Sequence, residues 1–237
     1  MNLIRQESLL PQGSFVHDVT IIGCGGIGSH LALQLPAMGC ERLTLIDGDH
    51  VESHNIGPQR FRVSDLKSRG PEGRTAYKVH SLKEQIEGTF DHCGVTAMPE
   101  FFDGSQELSG IVISGVHSME SRVLIWDWIC EHFADVPLYI DGRIGGELVQ
   151  VFSIRPVYPD EAAFYKNFLF SDEMALKGEC LRAEIAYVGN IISGIIGKRI
   201  AHWMHNTRER LPQLTHGSVA TMMFATVFSQ PGAKGGE

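Results

Sequence analysis

The chain has 237 residues, 43% of them hydrophobic and 20% charged, enough to build one globular unit with a substantial core. Its 20 Lys and Arg against 28 Asp and Glu leave a formal charge of −8, which argues against a nucleic-acid partner, since that would favour a basic face. No stretch approaches the ~18 uninterrupted apolar residues of a membrane span.

Residues 1–10 carry Arg5 and Glu7 where a secretory leader needs an apolar run. Five cysteines without a C-x-x-C pair form neither a disulfide framework nor a zinc knuckle, so the expected location is the cytoplasm. One domain is expected over residues 1–230, followed by a flexible Gly/Ala/Lys tail at 231–237.

In chain order, the β-branched run 18–22 reads as a buried strand and 26–38 as a helix whose last turn Pro36 disturbs. A second strand follows at 42–46, then a long polar loop at 50–73, of a length that usually carries function. Residues 77–87 read as a helix, 94–98 and 111–114 as strands, and 118–133 as a helix bearing Trp126 and Trp128. A strand at 137–140 ends at Asp141, and 146–154 alternates like an antiparallel strand with one wet face.

Residues 158–179 look irregular, 181–205 form a long, mostly buried helix, and 218–229 a last β segment. Gly189, Gly194 and Gly197 among isoleucines suit close packing of that helix against the sheet or a twofold partner. Alternation first and antiparallel pieces later define an α/β sheet, mostly parallel, with antiparallel C-terminal strands.

The strongest local signal is Gly23, Gly25 and Gly28 in a G-x-G-x-x-G turn between the first strand and its helix, with Gly26 making the turn G-x-G-G-x-G. The first glycine permits a tight turn, the second lets a phosphate approach bare backbone, and the third lets helix and strand pack closely. The N–H groups at the helix start and its dipole suit an anion. Asp47 ends the second strand, where a carboxylate can accept hydrogen bonds from ribose hydroxyls.

The chain from Asp47 onward is not dehydrogenase-like: Asp47-Gly48-Asp49-His50-Val51-Glu52, then Asn55, Gln59 and Arg60-Phe61, then Tyr77-Lys78-Val79. These motifs resemble the ThiF/MoeB/HesA family of E1-like activating enzymes, in its compact bacterial and phage-type branch. Arg5-Gln6, the segment from Ser114 to Arg122, Asp141-Gly142-Arg143, and Cys180 with Tyr187 extend the likeness from about residue 5 to 205.

The resemblance implies a Rossmann-like E1 adenylation fold and an ATP-dependent adenylyltransferase. Its substrate would be the C-terminal glycine carboxylate of a small β-grasp ubiquitin-like or sulfur-carrier protein, its cofactors ATP and Mg2+, and its assembly a homodimer. By the same likeness Gly23, Gly25, Gly26 and Gly28 line the phosphates, Asp47 holds the ribose, and Lys78 meets the β- and γ-phosphates. Asp49, Asn55, Gln59 and Arg60 complete the nucleotide loop, although Asp49 and Asn55 also suit simple turn closure. Arg5 would reach a partner's triphosphate across a dimer, and Cys180, ahead of a helix, would take the acyl group as a thioester.

Two positions depart from the family pattern. Pro58 stands where an arginine is usual, leaving Gln59 and Arg60 as neighbours. His117 stands where an aspartate supports magnesium and phosphate, and a neutral imidazole is a poor hard-cation ligand. Asp141 or Glu120 would then supply the metal's carboxylate.

Cys24 reads as a small filler of the turn, and Cys40, Cys93 and Cys130 as small core hydrophobes. Two other functions stay open: a nucleotide-binding but catalytically impaired regulatory protein, and an NAD-dependent oxidoreductase, for which the chain leaves little room.

Overall fold

A computed structural model describes residues 3–11, 13–67, 73–170, 185–205 and 211–229. Cys180, the second part of the irregular stretch, the start of the long helix and the 231–237 tail lie outside the described residues.

One eight-stranded sheet runs in the order β3-β2-β1-β4-β5-β6-β7-β8. Its strands are β1 (Val19–Ile22), β2 (Arg42–Ile46), β3 (Gly94–Met98), β4 (Ile111–Ser114), β5 (Leu138–Gly145), β6 (Leu148–Ile154), β7 (Leu214–Ser218) and β8 (Met223–Val227). The first five are mutually parallel, and β5 to β8 pair antiparallel. The helices are α1 (Gly28–Ala37), α2 (Lys78–Glu87), α3 (Met119–Glu131), α4 (Pro159–Lys166) and α5 (Ala186–His205). This is the α/β architecture expected from the alternation of the sequence.

Adjacent residues of one strand enter different cores. Ile21, Leu45 and Ile113 join the layer under α1, α2 and α5, whereas Ile22, Ile46 and Val112 join the layer under α3 and α4. Burial on both faces explains why these strands are unbroken apolar runs. On the α5 side, Gly189 and Gly197 let the helix lie against α1. A Cβ at Gly189 would sit 2.5 Å from the Gly26 oxygen, and one at Gly197 2.1 Å from Gln34 Nε2. Gly194 has nothing within 4 Å, so the small-residue stripe is only partly a packing device.

Four details differ from the sequence expectation. Part of the irregular stretch is helix α4, begun by Pro159 in its first turn and by Asp160 and Glu161 at its positive end. The single last β segment is a hairpin, β7 and β8, turned at Met222 with φ 54°. Strand β6 has no wet face from Val151 to Ile154, because helices cover both sides of it. Cys130 is exposed on α3 rather than in the core.

Candidate nucleotide site at the strand carboxyl ends

The chain leaves β1 for β2 and β3 on one side, then returns to place β4 and β5 on the other. Strand order therefore reverses between β1 and β4, the position where open α/β sheets bind ligands. Gly23 follows β1 with φ +89°, a conformation that favours glycine, and its Cβ position lies 2.9 Å from the Gly115 carbonyl carbon. Gly28 has no room for a side chain, since a Cβ there would sit 1.9 Å from the Gly23 oxygen. Gly25 faces open space up to Gln59 Nε2 at 3.9 Å. No side chain caps the first turn of α1, but its Ser29 amide is already bonded to the Gly25 carbonyl at 3.0 Å, so the amides that suit an anion are those of the glycine turn just before it.

A cleft of about 470 Å³ opens there, lined by Gly23, Gly25, Gly26, Asp47, Asp49, Asn55, Gln59, Lys78 and His117. That volume falls within the ~300–1,000 Å³ typical of small-ligand sites. Asp47 is nearly buried. Its Oδ2 accepts the Cys24 amide proton at 2.6 Å and its Oδ1 the Asp49 amide proton at 2.7 Å. Burial raises its pKa from the ordinary carboxylate value, outweighing the Lys78 charge and both amides. A carboxylate offers about four acceptor positions, so two remain for a ligand's hydroxyls.

Lys78 opens α2. Its amide binds the Asp49 carbonyl at 2.9 Å, and its Nζ reaches Asp49 Oδ2 at 2.8 Å. The ammonium is 9% exposed and the carboxylate 52%, so the cation sits inside and the anion faces water. Asn55 is buried, and its Oδ1 accepts the Glu52 amide proton at 2.9 Å. It thus closes a short turn and lines the cleft at once.

Other expected residues stand elsewhere. Gly28 shapes the turn from behind. Arg60 does not line the cleft; its Nε meets His30 Nδ1 at 3.0 Å and its amide Ser29 Oγ at 3.2 Å, tying the loop to α1. Arg5 lies in an exposed turn at the far end of α1, where Gln6 Nε2 donates to the Ala37 carbonyl at 3.4 Å. At 10 residues, α1 spans about 15 Å, so Arg5 does not share the cleft of its own chain. Cys24 is wholly buried, and burial followed by the Asp47 charge pushes its thiol well above the ordinary value, so it remains a filler.

Asp141, expected as a metal ligand, is consumed inside the protein. Its Oδ1 takes Arg122 Nε at 3.0 Å and Ser114 Oγ at 2.9 Å; its Oδ2 takes Arg143 Nε at 2.6 Å and Tyr165 Oη at 3.0 Å. Burial alone would raise its pKa, but Arg122 and Arg143 together hold it below the usual carboxylate range. Among the described residues, no three His, Cys, Asp or Glu side chains gather closely enough to hold a metal ion.

Sequence reasoning missed the apolar end of the cleft: Phe101, Phe102, Val116 and Ile125, with His54 and Ser121. Two aromatics placed just past the end of β3 were the available signal.

Comparison with known proteins matches the ThiF family model over residues 14–230. The chain belongs to the ThiF family. Within it, the chain is 49% identical over 187 residues to the Zea mays adenylyltransferase and sulfurtransferase MOCS3-1, covering 76% of this chain and 36% of that protein. It is 35% identical over 69 residues to MOCS3 of Bos taurus, covering 29% and 15%. The chain therefore spans about a third or less of the curated relatives it matches.

PaaA has the same fold with a TM-score of 0.65 at 17% identity, covering 89% of this chain and 63% of PaaA. E. coli MccB solved with ATP has a TM-score of 0.62 at 16% identity, covering 94% and 66%. This ThiF-family chain has, among its described residues, no helix long and apolar enough to cross a membrane.

Proposed function

We propose that this chain is an E1-like adenylyltransferase. It uses ATP to activate the C-terminal glycine carboxylate of a small β-grasp ubiquitin-like or sulfur-carrier protein. The observation that carries this reading is the convergence of the glycine turn, Asp47 and Lys78 on one cleft at the strand-order reversal. The name of the Zea mays relative, which joins adenylyltransferase and sulfurtransferase, supports it, as do MccB structures solved with ATP and with MccA.

In that reaction a carboxylate oxygen of the carrier bonds to the α-phosphorus of ATP. The bond to the β-phosphate oxygen breaks, pyrophosphate leaves with its electron pair, and an acyl-adenylate remains. The chain's residues hold, align and neutralise, a task of positioning and electrostatics. Amides of the glycine turn just before α1 meet the phosphates, Asp47 meets the ribose hydroxyls, and Lys78 leaves Asp49 for the β- and γ-phosphates as a point charge.

Among the described residues no cluster of three His, Cys, Asp or Glu side chains preforms a magnesium site, Asp141 is spent on two arginines, and His117 offers an imidazole to a cation that demands oxygen. The half-exposed Asp49, once Lys78 leaves it, is the carboxylate the cleft would offer the ion.

We further propose a cytoplasmic homodimer in which Arg5 serves a partner's cleft, since its own cleft lies beyond its reach. Cys180 would receive the acyl group as a thioester, releasing AMP. Pyrophosphate exchange into ATP, dependent on a carrier ending in Gly-Gly, tests the proposal. Exchange that ignores the carrier, or no exchange with a matched carrier, contradicts it.

A second reading rests on His117 at the exposed lip of the cleft, the position of the family's aspartate: the chain binds nucleotide and turns it over slowly. On that reading His117→Asp raises the exchange rate, and an unchanged rate overturns it. The oxidoreductase alternative expects NAD to bind more tightly than ATP, which calorimetry decides.

A further inference from the structure

An exposed phenylalanine carries no meaning by itself, because apolar atoms cover much of any protein surface. Three observations set Phe101 apart. It lines the cleft while remaining 67% exposed. Its ring lies directly over Gly48, where a Cβ would come within 2.9 Å of two ring carbons. Its main chain is braced from below. Buried Gln106 donates through Nε2 to the Phe101 carbonyl at 3.2 Å and to Glu100 Oε1 at 3.1 Å, and its Oε1 accepts the Asp103 amide proton at 3.1 Å. The next residue, Phe102, packs into the α3-side core with its ring edge-on to Trp128 at 6.5 Å. The loop between β3 and β4 therefore holds one ring exposed and the other half-buried between that core and the cleft.

We propose that Phe101 is the platform on which the base of the bound nucleotide stacks; the inference rests on the proposed nucleotide site. A nucleotide has a fixed order of base, ribose and phosphate. Phosphates at Gly25, Gly26 and Lys78 and ribose hydroxyls at Asp47 send the base past Asp47, over Gly48 and onto the Phe101 ring. The apolar end of the cleft, Val116 and Ile125, faces the same base. Stacking suits an exposed ring because a base brings its own apolar face, and the braced loop avoids an ordering cost on binding. Phe101 is a positioning residue: it fixes the base, and through it the α-phosphate, without touching the reacting atoms.

Calorimetry with AMP and with inorganic tripolyphosphate on the wild type, Phe101→Ala and Phe101→Trp separates the outcomes. The proposal expects Phe101→Ala to weaken AMP about 5- to 30-fold, the loss of one stacked base, with tripolyphosphate changed by less than about twofold. Phe101→Trp retains AMP affinity. The fluorescence of an etheno-adenosine monophosphate is quenched on binding the wild type and not on binding Phe101→Ala. Gly48→Ala, which displaces the ring, weakens AMP as Phe101→Ala does, and the double variant is no weaker than either.

Unchanged AMP affinity in Phe101→Ala overturns the inference, as does a parallel fall in tripolyphosphate affinity. A wild type that binds tripolyphosphate and not AMP removes the base platform alone. A wild type that binds neither removes the nucleotide reading together with it.

Discussion

The Asp47 carboxylate accepts the Cys24 amide proton at 2.6 Å, so the end of β2 is tied to the glycine turn that follows β1. The group assigned to ribose thus also shapes the phosphate turn, and the two halves of the cleft are built as one unit.

If Asp47 receives ribose hydroxyls, wild-type protein binds 2′,3′-dideoxy-ATP at least about tenfold more weakly than ATP, and Asp47→Asn binds both alike. The ionised form is the acceptor, and burial raises its pKa. Adenosine binding therefore weakens on acidification, starting above the ordinary carboxylate value of about 3.9. Asp47→Asn removes that pH dependence, which calorimetry between pH ~4 and ~7 measures.

Lys78 is nearly buried against a half-exposed Asp49, and its charge also favours the ionised form of the nearly buried Asp47. Lys78→Met is expected to cost about 1 kcal/mol of stability by urea unfolding and to push the Asp47 carboxyl further above its ordinary value. Pyrophosphate exchange falls about 100-fold or more, the scale for losing one positioned charge. ATP affinity falls while AMP affinity holds, because AMP lacks the β- and γ-phosphates.

Asp141 sits between Arg122 and Arg143 with every contact inside the protein. Asp141→Asn leaves two buried guanidinium groups short of an anion, at an expected cost of about 3–5 kcal/mol in urea unfolding at neutral pH. The folded carboxylate is shifted below its unfolded value. Its contribution is therefore fully present above about pH 4 and lost as pH falls through the lower folded value. Wild-type stability declines over that acid window, and the decline is shallower in Asp141→Asn.

The glycines of α5 separate by what surrounds them. Gly194→Ala meets open space and is expected to stabilise by about 0.5–1 kcal/mol through helix propensity. Gly189→Ala drives a Cβ against the Gly26 oxygen and His30 Nε2, costing about 1–3 kcal/mol and distorting the phosphate turn. Thermal unfolding with and without AMP distinguishes them: only Gly189→Ala loses the stabilisation by ligand.

The parallel core was legible because its strands are short β-branched runs and its helices have clear limits, as with Val19–Ile22 and Lys78–Glu87. Helix α4 escaped because eight residues with little apolar periodicity look irregular, despite Pro159 and two acids in the first turn. Strand β7, Leu-Thr-His-Gly-Ser, escaped because its pattern is polar and contains glycine; its partners, not its own propensity, make it a strand.

In the cleft, the glycines, Asp47 and Lys78 were visible as spaced motifs. The base end was not, since Phe101 and Phe102 belong to no periodic pattern and meet the turn only through the crossing from β3 to β4. Asp141 reads from sequence as a free carboxylate at a strand end; only its neighbours on α3 and β5 reveal that its valence is filled.

The most direct test is a crystal structure of the protein with a non-hydrolysable ATP analogue. The account predicts phosphates at the Gly25–Gly26 turn and Lys78, ribose hydroxyls on Asp47, and the base against Phe101. An analogue bound elsewhere at saturating concentration, or a cleft filled by the chain's own side chains, contradicts it.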